Sequence, residues 1–138
     1  METYISTLIR TAPDCPVESA VVPVGQRGKK SIPQIEYELL AAQPYFYTQP
    51  ELLFATHVQR LELGPDELAA RQTELWDEFF SRSRACLRAS MLPKKYGWGL
   101  HFDAAGRIGL VAMESPQYRA FNKQAGLKTL LAMRNSRG

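Results

Sequence analysis

The stretch ACLRASMLPKKYGWGLHFDAAGRIGLVAM, residues 85–113, decides the fold because apolar and polar residues alternate along most of it. Between Tyr96 and Phe102 the large apolar side chains fall at every second position. Successive side chains of a strand point to opposite faces, so this pattern predicts a strand with one buried face. The DAAG segment at residues 103–106 predicts a turn, and residues 107–113 predict the returning strand of a β-hairpin.

Residues 85–91 alternate in the same way and predict a further strand, which the short connection 92–95 turns antiparallel to the next one. The non-apolar face of this meander then gathers basic side chains around a bare glycine backbone. Glycine inside a strand often marks the close approach of a ligand or of another backbone. The candidate ligand-binding residues on this face are Arg84, Cys86, Arg88, Ser90, Lys95, Gly97, Gly99 and His101. A helix packed closely on the glycines is the competing interpretation of the same face.

Length and composition indicate one α+β domain spanning residues 1–138, since a chain of this size can bury a core of its own. No apolar run approaches the length of a membrane-spanning helix, and the N-terminal residues lack the features of a secretory signal. Cys15 and Cys86 are not in a metal-ligand spacing. We therefore expect reduced thiols in the cytoplasm, no membrane association, no metal and no cofactor.

Capping signals predict the helices. N-terminal signals at Ser31, at Thr48 and at Pro65 each precede apolar residues at helical spacing. A further helix begins at Ser115 and can break at Gly126, after which Leu127, Leu130 and Leu131 continue the apolar stripe to Met133. Together with a strand predicted within residues 3–12, these elements give a small antiparallel β-meander or sheet of three to four strands, packed with about four helices.

Charge is distributed unevenly along the chain. Residues 1–80 carry six Lys or Arg and twelve Asp or Glu, whereas residues 81–138 carry eleven basic and two acidic side chains. Such a split can indicate a surface that binds nucleic acid or another polyanion. It also arises when an acidic helical half covers a basic sheet half of one domain, and this second explanation requires no partner.

Four segments of the sequence form a distinctive set: DCP at residues 14–16, CLRAS at 86–90, KKYGWGLHF at 94–102 and AMR at 132–134. Together they resemble a family of small bacterial proteins whose function is unassigned. The resemblance extends over nearly the whole chain. It implies a single compact domain and a shared purpose for the Gly-Trp-Gly-x-His hairpin, and it brings no activity, cofactor or catalytic residue.

Three functions compete. The first is a non-catalytic binding domain whose basic, glycine-lined sheet face holds a small anionic ligand or an acidic partner, since arginine recognises phosphate and carboxylate bidentately. The second is a thiol or acid–base enzyme that uses Cys86 and His101, although no carboxylate is placed to orient the histidine. The third is nucleic-acid binding through the basic C-terminal half, which requires aromatic rings free to stack on bases. The missing carboxylate and the expected burial of the aromatic rings favour the first function.

Overall fold

The computed structural model describes residues 1–25 and 27–136, which fold into five α-helices, one short 3-10 turn and four strands. The helices are α1 (Ile32–Ala42), α2 (Gln49–Leu61), α3 (Pro65–Phe79), α4 (Met91–Lys95) and α5 (Pro116–Lys123). The strands are β1 (Thr7–Arg10), β2 (Trp98–Phe102), β3 (Ile108–Ala112) and β4 (Lys128–Leu131). The predicted α+β fold class is confirmed.

The four strands form one sheet in the order β3-β2-β1-β4. β1 and β3 both pair antiparallel with β2, whereas β4 lies parallel to β1. The sheet is therefore mixed, and the prediction of a purely antiparallel sheet is corrected in this respect. β1 is shorter than the strand predicted within residues 3–12, because Ser6 has a left-handed φ of 45° that interrupts the extended chain.

The predicted β-hairpin is confirmed, since β2 and β3 pair along their whole length. Its turn is held by the carboxylate of Asp103, whose Oδ1 accepts the backbone N–H groups of Ala105 and Arg107 at 2.9 Å each. Gly106 closes the turn with a φ of 79°, a conformation that glycine adopts without steric cost. The aspartate and the glycine that predicted the turn are thus the residues that build it.

Helices α1, α2 and α3 begin where the capping signals predict. Ser31 caps α1, and its Oγ accepts the N–H of Gln34 at 3.3 Å. Thr48 precedes α2, and its N–H donates to the carboxylate of Glu51 at 2.9 Å. Pro65 is the first residue of α3, where its missing N–H leaves no hydrogen bond unmade.

The strand predicted at residues 85–91 is wrong. Residues 87–89 form the 3-10 turn, and α4 begins at Met91 and includes the connection that was predicted to be a turn. Ser90 starts α4 because its Oγ accepts the N–H of Leu92 at 3.2 Å. Of the alternating apolar residues only Leu87 is fully buried, whereas Met91 is 37% exposed, so the alternation in this segment does not mark the buried face of a strand.

The helix predicted from Ser115 is confirmed as α5, but it ends earlier than the apolar stripe suggests. Gly126, with a φ of 82°, turns the chain, and the residues after it form β4 instead of more helix. The N–H of Ala132 donates to the carbonyl of Arg10 at 2.9 Å, which extends the pairing of the C-terminal segment with β1. The last apolar residues therefore pack as part of the sheet.

Both faces of the sheet are covered. On one face, helices α1, α2 and α4 enclose the main core, which includes Ile9, Leu40, Leu52, Leu92, Leu100 and Phe102. On the other face, α5 covers a smaller cluster of Leu8, Val111 and Tyr118. Helix α3 packs against α2 through a third cluster of Phe54, Leu75 and Phe79. The hairpin is consequently buried from two sides.

Candidate functional site

The predicted ligand-binding face of the hairpin is covered by two tyrosine rings. A Cβ atom at Gly99 would lie 2.8 Å from Cε2 of Tyr118, which belongs to α5, and one at Gly109 would lie 2.7 Å from Oη of Tyr45. Contacts this short leave room only for glycine. The glycines therefore allow a helix and a loop to pack closely on the sheet, which is the competing interpretation of this face.

His101 lies on this covered face. Its imidazole stacks on the ring of Phe121, with ring centroids 4.0 Å apart, and its Nδ1 lies 2.8 Å from Oη of Tyr45. Burial lowers the pKa of His101, and the Asp103 carboxylate opposes this effect only in part. The imidazole is therefore neutral at pH 7, and its ring and Nδ1 serve packing and hydrogen bonding within the fold.

The two predicted arginines each bind a backbone carbonyl. Arg84 lies over the ring of Phe79, with Cζ 3.9 Å from the centroid, and donates its Nε–H to the Phe79 carbonyl at 2.8 Å. Arg88 donates its Nε–H to the carbonyl of Leu131 at 2.8 Å, at the outer edge of β4. Because residues 84–90 do not continue the sheet, these guanidinium groups do not join His101 on a common face.

Lys95 and Gly97 lie at the junction between α4 and β2, where Lys95 ends the helix and Gly97 turns the chain with a φ of 78°. The neighbouring Trp98 packs on Tyr37 and donates its Nε1–H to the carbonyl of Val21 at 2.9 Å. An indole held in this way is not free to stack on a base, which nucleic-acid binding through these aromatics requires. The third hypothesis therefore gains no support from this geometry.

Cys86 and Ser90 are brought together by the structure, at one groove beside α1. The Sγ of Cys86 accepts a hydrogen bond from Oη of Tyr4 at 3.3 Å, and burial followed by this bond raises the pKa of Tyr4 to about 12. Tyr4 packs on Phe102, which projects from the face of β2 opposite to His101. Cys86 and His101 are therefore separated by the sheet and do not form a catalytic pair.

The groove lies between α1 and residues 85–91 and has a volume of about 410 Å³. Its walls are mainly apolar and include Leu53. At its rim, the side chains of Ile32 and Met91 are 44% and 37% exposed, which is high for large apolar groups. The polar residues of the lining are Glu36, Cys86 and Ser90.

Glu36 contributes a buried carboxyl group to this groove. Its side chain is only 3% exposed, and its Oε1 accepts a hydrogen bond from Oγ of Ser90 at 3.0 Å. Burial raises the pKa of Glu36 to about 7, and the hydrogen bond from Ser90 opposes this rise. At pH 7 the carboxyl group is therefore divided between its neutral and its ionised form.

The second wall of the groove is fixed by a buried glutamine. Oε1 of Gln49 accepts the backbone N–H of Leu87 at 2.7 Å, and its Nε2 donates to the carbonyl of Glu2 at 2.7 Å. These bonds join the 3-10 turn to α2 and to the N-terminal segment. The wall formed by residues 85–91 is thus organised before any ligand binds, which reduces the entropy that binding would cost.

Sequence reasoning missed both Glu36 and Gln49. Glu36 lies four residues after Ile32 and four before Leu40, on the apolar stripe of α1. A carboxylate at a core position of an amphipathic helix is the signal that would have found it. Gln49 lies in the first turn of α2, where an exposed polar residue is ordinary, so the sequence contains no comparable signal for it.

The described ranges, residues 1–25 and 27–136, bear on two other kinds of site. These residues contain no cluster of three or more His, Cys, Asp or Glu side chains that could hold a metal ion. Over the same ranges, none of the helices combines the length and the apolar character needed to cross a bilayer. The thiols of Cys15 and Cys86 are free, and both residues are partly buried.

The four segments that carry the family resemblance meet at the C-terminal end of the chain. The carboxylate of Asp14 accepts the backbone N–H of Asn135 at 3.0 Å, which is the main cause of its lowered pKa. Asn135 also donates its Nδ2–H to the carbonyl of Lys94 at 2.8 Å, and the N–H of Met133 donates to the carbonyl of Arg88 at 2.8 Å. These residues hold the C-terminal segment onto the domain.

The model of the Family of unknown function (DUF6157) matches residues 1–138, which is the entire chain. No curated protein and no solved structure matches the chain. A match over the entire chain agrees with the expectation that the resemblance extends over nearly all of it. The chain therefore belongs to this family of unknown function.

Proposed function

We propose that this protein binds a small, mainly apolar molecule that carries a cationic group, in the groove between α1 and residues 85–91. The observation that carries this proposal is the buried carboxyl group of Glu36 in the wall of a mainly apolar groove. A buried carboxylate is costly unless it is paired. A ligand ammonium beside Glu36 would pair with the ionised carboxylate and offset this cost.

Glu36 reduces stability in a way that an apolar residue at the same position would not. It lies on the stripe of α1 that buries Ile35 and Leu40, and Ser90 gives it a neutral hydrogen-bond partner instead of a charged one. Titratable groups that are destabilised by burial and line a cleft are enriched at functional sites. Both properties meet at Glu36, and they support a ligand-binding role over a purely structural one.

The lining of the groove selects the chemistry of the ligand. Ile32, Leu53 and Met91 favour an aliphatic or aromatic body, which they would remove from water. A carboxylate in the wall disfavours an anion through like-charge repulsion. We therefore assign the groove a cationic ligand, and not the anionic one expected at the sheet face, where Gly99 and Gly109 are covered.

The proposal is for binding without a chemical step, because both nucleophilic groups of the groove already have partners. The thiol of Cys86 accepts from Tyr4 Oη, and the hydroxyl of Ser90 donates to Glu36. The Ser90 hydroxyl also accepts the Leu92 N–H as the cap of α4. Neither group has a histidine base beside it of the kind that activates such nucleophiles.

Isothermal titration with hexylamine and hexanol tests the proposal, since these probes share an apolar chain and differ in charge. We expect hexylamine to bind about tenfold more tightly than hexanol, because it alone pairs with the carboxylate. Glu36→Gln should weaken hexylamine binding by about tenfold and leave hexanol unaffected. Glu38→Gln is the matched control, because Glu38 lies on the same helix and pairs with Lys30 at the surface.

The same titrations have a characteristic pH dependence. Glu36 must be ionised to pair with the ammonium group, so hexylamine affinity should increase as the pH rises through about 7. Glu36→Gln should remove this dependence, whereas Glu38→Gln should retain it. Equal binding of the two probes by the wild type, or equal effects of the two substitutions, would refute the proposed site.

A further inference from the structure

A second cleft lies between α2 and α3 and shares no lining residue with the groove at Glu36. Its volume is about 620 Å³. Leu61 and Leu63, at the connection between the two helices, line one part of it. Arg82 and Arg84, from the segment after α3, line another. The cleft therefore combines an apolar part with a basic part.

The charges in the lining favour an anion. The lining includes three arginines, Arg71, Arg82 and Arg84, and one carboxylate, that of Glu78. Arg71 is already paired with two glutamates of its own helix at 3.2 and 3.3 Å. The excess positive charge therefore comes from Arg82 and Arg84, which lie two residues apart in the segment that follows α3.

An aromatic floor fixes one of these arginines in place. The guanidinium of Arg84 lies 3.9 Å from the ring centroid of Phe79, and its Nε–H donates to the Phe79 carbonyl. The ring of His57 lies 4.6 Å from the same Phe79 ring. The four N–H groups at the end of the Arg84 guanidinium are not used by the bond to the carbonyl. A guanidinium held on an aromatic face suits planar oxyanions.

We propose that this cleft binds an organic anion, in which an apolar body is joined to a carboxylate or a similar oxyanion. The body contacts Leu61, Leu63 and Phe79, and the oxyanion lies at Arg82 and Arg84. This site is independent of the function proposed for the groove at Glu36, which favours a ligand of opposite charge.

His57 gives the site a pH dependence. Burial lowers the pKa of His57, the charges of Arg84 and Arg60 lower it further, and Glu78 opposes them. A bound anion favours the protonated imidazole. The affinity for an anion therefore increases as the pH falls below the ordinary pKa range of histidine, because protonation adds a positive charge to the lining.

Titration with naphthoate and with naphthamide tests this proposal, since the two probes differ mainly in charge. Naphthoate should bind the wild type about tenfold more tightly than naphthamide, and Arg82→Gln should weaken naphthoate binding about fivefold. Arg82 is exposed, so the substitution leaves the fold intact, which circular dichroism verifies. Lys123→Gln on α5 is the matched control, because it removes one exposed positive charge away from the cleft.

Three outcomes would overturn the proposal: equal affinity for the two probes, equal effects of Arg82→Gln and Lys123→Gln, or no naphthoate binding by the folded wild type. His57→Gln should abolish the increase in affinity at low pH. Glu36→Gln should leave naphthoate binding unchanged. Because Glu36 lines only the groove, naphthoate binding at the second cleft and hexylamine binding at the groove are then independent, and either proposal can be refuted without the other.

Discussion

Replacing Glu36 with glutamine should change the pH dependence of stability while preserving the structure. Glutamine has the shape of glutamate, and its side-chain carbonyl can accept the hydrogen bond that Ser90 Oγ donates at 3.0 Å. Glutamine does not ionise. The substitution therefore isolates the cost of placing a charge at a position where the side chain is almost completely buried.

The size of the effect follows from the pKa of Glu36, which burial raises from 4.5 to about 7. One pKa unit corresponds to about 1.4 kcal/mol. Because the native state binds the proton more tightly than the unfolded state, the contribution of Glu36 to stability is complete below pH 4.5. It decreases by about 3 kcal/mol as the pH rises from 4.5 to about 7 and then stays constant.

Urea unfolding of the wild type and of Glu36→Gln, followed by tryptophan fluorescence between about pH 4.5 and pH 8, measures this contribution. Carboxylates with lowered pKa values, such as Asp14 and Glu51, affect both proteins equally and cancel in the difference. The difference should grow in favour of the variant up to about pH 7 and then level off. A difference that does not change with pH would show that Glu36 ionises as it does in the unfolded chain and would refute this reasoning.

Two further substitutions test the packing of the sheet. Gly99→Ala should lower the free energy of unfolding by about 1–3 kcal/mol because the added Cβ would lie 2.8 Å from the ring of Tyr118. Gly64→Ser is the control and should leave the urea midpoint nearly unchanged, because no atom lies within 4 Å of a Cβ added at Gly64. Arg88→Ala should cost about 1 kcal/mol and increase self-association in sedimentation velocity, since the Leu131 carbonyl on the outer edge of β4 would lose its guanidinium cover. Equal losses at both glycines, or an Arg88 variant that matches the wild type in stability and association, would contradict these expectations.

The helices and the hairpin are predictable because their signals and their partners lie close together in sequence. Ser31 and Thr48 each make a capping bond with a residue three positions later. Asp103 organises the hairpin turn through N–H groups two and four residues later. Tertiary contacts reinforce these local preferences, as expected where local and global structure agree.

The errors at residues 85–91 and after α5 arise from contacts that are distant in sequence. Alternate apolar residues predict a strand with one buried face, but only Leu87 of this set is fully buried, and its backbone N–H is bound by Gln49 from 38 residues away. β4 likewise exists through its parallel pairing with β1, at the opposite end of the chain. Neither partner can be identified from the segment itself.

The candidate site is predictable only in part, for the same reason. Cys86 and Ser90 belong to the predicted set of site residues and do line the groove, but they flank the 3-10 turn and do not lie in the predicted strand. Glu36, the hydrogen-bond partner of Ser90, lies on a helix 54 residues earlier in the chain, and its depth depends on how α1 packs against α4. A carboxylate on an apolar helical stripe is visible in the sequence, whereas its exposure to a groove is a property of the packed elements.

The two proposed sites differ in the sign of their pH dependence, which allows one experiment to separate them. Hexylamine requires the ionised carboxylate of Glu36, whose pKa is raised to about 7, so its affinity should increase with pH across neutrality. Naphthoate gains from a protonated His57, whose pKa burial lowers, so its affinity should increase as the pH falls. A general effect of pH on the fold would move both affinities in the same direction, because both sites depend on the same native state. Opposite slopes would therefore assign each ligand to its own cleft, one governed by a buried carboxyl group and the other by an imidazole among arginines.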